Sequence, residues 1–552
     1  MATSNSKLPI SDDAQCDCKI VAFEILLVAS LFALHAGWHA PEVNEPNYLA
    51  KAKQYWNPDW CSGDFFLNSA DAHVVFYWTF GWTTCVLPLP TAALIGRLLT
   101  CLLLAIGWQR LSSSIVPRSF FAAISAALLV CLNHRFHMAG EWIVGGVEAK
   151  GFAYALVMLG LAQIVKHRWN LAWICLGAAT AMHVLVGGWS LIAAFAVWTI
   201  THSRSDEPSF SSMLGGLTAG TSLALVGLIP AVGLDRGVDP DIVDRASRVL
   251  VFHRLPHHLN PEKFFYAKDA FPALTEFGLR FIVMVGVWAL LWWLCRGNER
   301  LRRANQFVGV AVLITALGIT FGTLTAGNPS LAAALLRFYW FRLADVMLPA
   351  GAALSAVCLL QRIGSQSRLL SVAVLSVALA AVTWHYVLIG MNHWMMPAPA
   401  ADLKLLTEKK MAKKLGREKY DRLLHTRYGD WLDICRAARE KTPADSIFLT
   451  PRRAHTFKWH ASRSEVITWK EVPQDAVSVV DWWDRMRDIY RVDGQKGLLP
   501  SLTELSPEKI ADIHKTYHCD YLLTGAGPVL DLPLIYNNES FALYRLVNDN
   551  AP

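Results

Sequence analysis

The sequence predicts an all-α polytopic membrane protein of about 11 transmembrane helices, followed by a C-terminal extracytoplasmic α/β domain. Three observations carry that prediction. The composition is 54% hydrophobic and only 17% charged, with 22 Trp in 552 residues. Apolar runs of membrane length, about 18 residues or more, follow one another to residue 390, and such runs read as spanning helices. Beyond residue 397 the pattern changes to short β-rich runs alternating with polar helices.

The spans fall at 20–38, 91–109, 119–133, 150–166, 169–186, 187–201, 213–233, 276–295, 306–326, 331–360 and 369–390. Residues 1–19 are polar, with Asp12, Asp13 and Asp17, and lack a basic start and a small-residue cleavage site. They read as a cytoplasmic tail, and the first span as a retained anchor. The stretch 72–88 (DAHVVFYWTFGWTTCVL) is apolar but dense in aromatic rings, as suits a helix lying at the membrane interface. Positive charge then sets the orientation. If 72–88 does not cross, Arg110, Arg118, Lys166, Arg168, Arg204, Arg296, Arg300, Arg302, Arg303, Arg362 and Arg368 all fall inside, while the short turns near 187 and 327–330 hold no Lys or Arg. The membrane domain is thus 20–396. Its segments 39–90, 134–149 and 234–275 lie outside, and so does a periplasmic domain at 397–552.

That domain reads as strands at 446–450, 465–469 and 521–524, helices at 475–491 and 506–516 after a Lys-rich stretch (404–419), and a hairpin around Asn537-Asn538 running into 540–547. The net charge of +7 is spread among short loops, which topology explains better than a nucleic-acid surface, so no nucleic-acid partner is expected. The 11 Cys show no metal spacing, and Cys16-Asp-Cys18 has no partner pair.

The segment after the first span holds the leading candidates. Glu45 precedes Pro46, which suits the first turn of a helix, so its carboxylate sits where the helix dipole favours the ionised form. Facing a cavity, it would accept a proton from an acceptor hydroxyl or amine; otherwise it is a solvated cap. Glu42 is the substitute. Asp71 and His73 are either a metal- or substrate-orienting pair or a polar helix start, the second being favoured. Glu141, Glu148 and Lys150 surround Gly145-Gly146, where they form an interfacial ion pair or meet a substrate. Arg254, His257 and His258 offer charge-assisted hydrogen bonds to an anion. Inside the tenth span, Arg342 and Asp345 are one turn apart and able to pair, leaving Arg337 over for a phosphate.

Val43-Asn-Glu45 through Phe80-Gly81-Trp82, Gly96-Arg97, Val147-Glu148-Ala-Lys150, Arg254-Leu-Pro-His257-His258 and Phe341-Arg342-Leu-Ala-Asp345 together resemble a bacterial branch of the GT-C superfamily of membrane glycosyltransferases. The superfamily includes protein O-mannosyltransferases, lipid A aminoarabinose transferases and oligosaccharyltransferase catalytic subunits, and the likeness in layout covers nearly the whole chain. It implies a GT-C-like fold in the bacterial inner membrane and a lipid-linked sugar donor among membrane lipids. It implies Glu45 as the acidic catalytic residue, and basic residues holding a polyprenyl phosphate. No Asp-x-Asp stands in the first loop and no WWDYG motif occurs, so no cofactor is certain and a divalent metal stays open. The rival readings are a transporter or flippase with Arg337, Arg342 and Asp345 along its path, and a scaffold whose outer domain binds partners.

Overall fold

The computed structural model describes residues 18–202, 207–266, 274–407, 409–491, 497–499 and 501–546. The expected tail 1–17, with Cys16, and the expected inside residue Arg204 lie outside these. Among the described residues, eight helices are long and apolar enough to cross a membrane, and Phe121–Phe136, Ala149–Val165 and Trp169–Met182 are shorter apolar helices. Together they coincide with the apolar segments of the sequence. The stretch after Asp71 breaks into Val74–Phe76, Tyr77–Gly81 and Thr83–Val86, none of membrane length.

Local chemistry sets the helix ends. Side chains of Thr275, Asn298, Asn328 and Ser367 accept the orphan amide of the residue three positions on, each opening a helix. One expected span divides. Pro329–Leu336 ends before Arg337, Tyr339 takes a left-handed φ of 53°, and a new helix Arg342–Gln366 begins. Arg337 therefore stands outside the membrane-length helix and turns to Asp235 at 2.6 Å. Arg342–Gln366 is the axis of the bundle, 89% of its apolar window being enclosed, whereas Arg368–Trp394 shows only 11% enclosed and lies at the periphery.

The bundle has two unlike ends. At one, Lys166 lies within electrostatic reach of Arg168, Arg110 and Arg300. The other carries the long connections and the C-terminal domain. That domain holds a five-stranded sheet of order β2-β1-β3-β5-β4, with β1 Ile447–Leu449, β2 Ser464–Glu465, β3 Tyr521–Gly525, β4 Leu534–Asn537 and β5 Phe541–Arg545. β1 runs parallel to β2 and β3, while β5 is antiparallel to β3 and β4. Helix Arg417–Lys441 packs Trp431 against Phe457 and Phe541, and helix Ala476–Tyr490 packs Trp482 and Met486 in a second cluster. Ala246 and Val249 of the 234–275 connection belong to that second cluster, so the domain core is shared with the membrane domain. The strand expected at 465–469 stops at Glu465, and the chain beyond it leaves the sheet.

Lys458 fastens the two parts together. Its ammonium is fully enclosed with Asp64 at 3.2 Å, Glu465 at 2.9 Å and Glu471 closer still. Asp64 belongs to the first long connection, where it also caps Leu67 and accepts the amide of Glu465 at 3.0 Å. Burial pushes the Glu465 carboxyl up to about 8 against the pull of Lys458, so three carboxylates share one cation.

Candidate active site

A cavity of about 230 Å³ opens where the first long connection, the 137–148 loop, the 234–275 connection and the C-terminal domain meet. Of the residues singled out in the sequence, Asp71, His73, Glu141, Glu148, Lys150, Arg254, His258 and Arg342 line it. Glu42, Glu45, His257, Arg337 and Asp345 do not.

Glu45 is fully enclosed. Arg97 donates to both its oxygens at 2.8–3.2 Å, the Val147 amide donates at 3.0 Å and the Glu42 amide at 2.7 Å. Every acceptor direction is taken, so the carboxylate expected to face a cavity instead ties the first connection to the Leu89–Ile115 helix and the 137–148 loop. The close approach requires Gly146, where a Cβ would lie 2.8 Å from Cβ of Glu42 and 3.0 Å from Cγ of Glu45. Glu42 turns its own carboxylate onto the Val43 amide at 2.9 Å, and burial pushes that carboxyl up.

Asp345 and Arg342 do not pair. Asp345 accepts the amides of Met138, Ala139 and Glu141 at 2.8–3.2 Å and so shapes the 137–148 loop from below. Arg342 instead meets Glu141 at 3.2 Å and His183 at 3.1 Å, and stacks over Tyr339. Only Arg342 of the three residues expected along a translocation path faces the cavity.

The lining is electrically divided. At one side Asp71 accepts from the His73 amide at 2.6 Å and meets His73 Nδ1 at 2.9 Å, with Lys51 at 3.9 Å. Burial raises the Asp71 carboxyl, but His73 and then Lys51 outweigh it and hold the group well below the usual carboxylate range. His73 Nε2 stands 3.4 Å from the Tyr48 hydroxyl. Asp71 thus holds both the backbone amide and the imidazole of His73. In the middle, Lys150 lies between Glu148 at 3.4 Å and Glu141 at 3.7 Å and over the Trp142 ring, while Asn44 donates to Glu148 at 2.9 Å.

At the other side Arg254 and Lys470 have no carboxylate within ion-pair distance among the described residues. Arg254 is buried, donates to the Lys470 carbonyl at 3.1 Å and faces the Trp469 ring. Burial pushes Arg254 down to about 10. Burial and the Arg254 charge push Lys470 down to about 8, and Lys404 adds to the repulsion. His257 lies tilted against His258 with ring centroids 4.1 Å apart, its imidazole pushed down by burial, Arg254, Lys470 and Lys404. Like charges thus crowd this side of the cavity, offset at Lys470 only by the more distant Glu148. Among the described residues no group of three or more His, Cys, Asp or Glu is arranged to hold a metal ion.

Sequence reasoning missed Lys470 and Gln474. Gln474 accepts the Ala72 amide at 3.1 Å and approaches His73 Nδ1 at 2.9 Å, so the C-terminal domain touches the Asp71–His73 pair directly. Nothing local marks either residue, since the contact joins positions 402 residues apart. Arg97 was legible as a charge in an apolar span, a signal that called for a buried partner.

Fold and site together describe a helical membrane protein with a composite, charge-divided pocket. Residues 429–489, which include Lys458 and Lys470, match the model of DUF6798, a domain of unknown function. No curated protein matches the chain. Among solved structures, the chain is similar in fold to ArnT from Cupriavidus metallidurans in the apo state, at 14% identity and TM-score 0.48, covering 96% of this chain and 97% of that one. The same protein bound to undecaprenyl phosphate matches at 12% identity and TM-score 0.47, with 97% and 98% covered. The oligosaccharyltransferase AglB from Archaeoglobus fulgidus, in complex with an inhibitory peptide and a dolichol-phosphate, matches at 12% identity and TM-score 0.47, with 92% of this chain and 69% of that one covered.

Proposed function

We propose that the pocket transfers a sugar from a polyprenyl phosphate donor to an acceptor on the side of the membrane that carries the C-terminal domain. The basic residues gathered at the opposite end support reading that side as the periplasmic one. The donor class follows the GT-C resemblance of the sequence. The observation that carries the chemistry is the division of one cavity into an acid–imidazole side and a cationic side whose Arg254 and Lys470 form no ion pair among the described residues.

The acceptor hydroxyl or amine attacks the anomeric carbon as its proton passes to the His73 imidazole at Nε2. Asp71, bonded to Nδ1, orients the ring and stabilises the imidazolium. The bond from the anomeric carbon to the phosphate oxygen breaks with its electron pair on the phosphate. Arg254 and Lys470 meet that charge, which is greater in the leaving group than in the bound donor. A phosphate is a weakly basic leaving group and takes no proton. Asp71 and His73 replace Glu45 in the base role, because every lone pair of Glu45 is already bonded.

The test uses the purified full chain with radiolabelled polyprenyl phosphate sugar, following release of polyprenyl phosphate. Asp71→Asn and His73→Gln are expected to stop release while donor is still bound. Undiminished release by both variants overturns the assignment.

A further inference from the structure

A second cavity of about 440 Å³ lies at the same end of the bundle as the pocket and shares no residue with it. It opens between the Phe121–Phe136, Glu276–Leu294 and Arg368–Trp394 helices, and no carboxylate lines it. Its floor is His385, which is 1% exposed and has no hydrogen-bond partner at either ring nitrogen. An imidazole enclosed with both nitrogens unsatisfied is costly unless a ligand completes it. His134 stands beside it, ring centroids 5.2 Å apart.

Two guanidinium groups complete the lining. Among the described residues no carboxylate pairs with Arg135. Arg280 is held by the exposed Glu276 one turn back and donates at 3.4 Å to the Arg135 carbonyl, which keeps the two arginines together. Leu388 and Ile389 add apolar walls. The helix faces running from the cavity toward the middle of the bundle are apolar and exposed at Leu279, Ile282 and Trp384, as lipid-facing surfaces are. Cations and unsatisfied imidazole nitrogens beside apolar lanes complement an amphiphile with an anionic head.

We propose that this cavity is a binding site for an anionic phospholipid of the membrane. Its phosphodiester takes hydrogen bonds from Arg135, Arg280 and His385, and its chains follow the exposed apolar faces. None of these residues lines the pocket, so this site stands or falls apart from the transferase reading.

Native mass spectrometry of the full chain in detergent tests it, with phosphatidylglycerol, phosphatidylcholine, a polyprenyl phosphate and inorganic phosphate as probes. Phosphatidylglycerol is expected to stay bound about tenfold more than phosphatidylcholine, and Arg135→Gln with Arg280→Gln to erase that preference. Both arginines are surface-exposed, so the paired variant keeps the packing of the bundle. Glu276→Gln, which frees Arg280 from its competing acid, is expected to strengthen retention, a gain that misfolding does not produce. Equal retention by the parent and paired variants overturns the site. Displacement by millimolar inorganic phosphate without lipid retention assigns it to a free anion, and preferential retention of the polyprenyl phosphate assigns it to that lipid; either result overturns the membrane phospholipid.

Discussion

Two sets of carboxylates stand at the loop end of this molecule, and they differ in what surrounds them. Glu45 and the Asp64, Glu465 and Glu471 group are sealed from solvent, each pinned by a buried cation, with backbone amides added at Glu45 and Asp64 and threonine hydroxyls at Glu465 and Glu471. Asp71 and Glu148 have comparable partners but line a cavity. The first set holds connections together; in the proposed function the second meets the incoming molecule. What separates the two sets is whether the carboxylate borders the cavity, not its place in the chain.

The sharpest way to break that distinction is to neutralise one acid of each kind. Asp71→Asn or His73→Gln is expected to lower the turnover rate by about 10²–10⁴-fold, the span general-base removal produces, with the melting temperature unchanged. Glu45→Gln is expected to show the reverse, a lowered melting temperature with per-molecule turnover close to the parent's. Turnover lost in Glu45→Gln at parental stability would return the base role to Glu45.

Removing the buried cations comes next. Arg97→Met leaves Glu45 uncompensated and Lys458→Met leaves three carboxylates so; each is expected to cost about 3–5 kcal/mol of stability, read from unfolding of the detergent-solubilised protein. At the cationic side of the pocket, Arg254→Gln and Lys470→Gln are each expected to raise donor KM about tenfold or more, the worth of a hydrogen bond between charged groups.

The smallest effect is a pH dependence. Lys470, pushed down to about 8, is charged below that pH and loses its charge as pH rises through it. Donor KM is therefore expected to climb a few-fold above about pH 8, and Lys470→Arg, whose guanidinium stays charged, to flatten the profile. An identical climb in Lys470→Arg removes this lysine from the anion site.

The fold was legible because apolar length is written directly in the sequence: the apolar helices, the short helices after Asp71 and the β-hairpin at 534–545 all follow local composition. The break at Arg337 was harder, since Leu336 and Phe338 keep the run apolar while a left-handed Tyr339 ends the helix. The pocket was legible by residue type, which is why Asp71, Glu148, Lys150, Arg254 and Arg342 were singled out. Pairing was not. Arg342 was assigned to Asp345, one turn away, yet it meets Glu141 from a different connection, and Asp345 serves backbone amides. Lys470 became visible only once a segment expected to extend a strand turned out of the sheet toward the membrane.

Lys470 and Gln474 reach the pocket from the far end of the chain. Every membrane-length helix among the described residues precedes both in the chain, the last ending at Trp394. A newly inserted chain thus holds a half-built cleft, and the site closes only when translation has passed Gln474 and the domain has docked. Any product ending earlier, by a premature stop or a proteolytic cut ahead of Lys458, would occupy the membrane with an incomplete pocket.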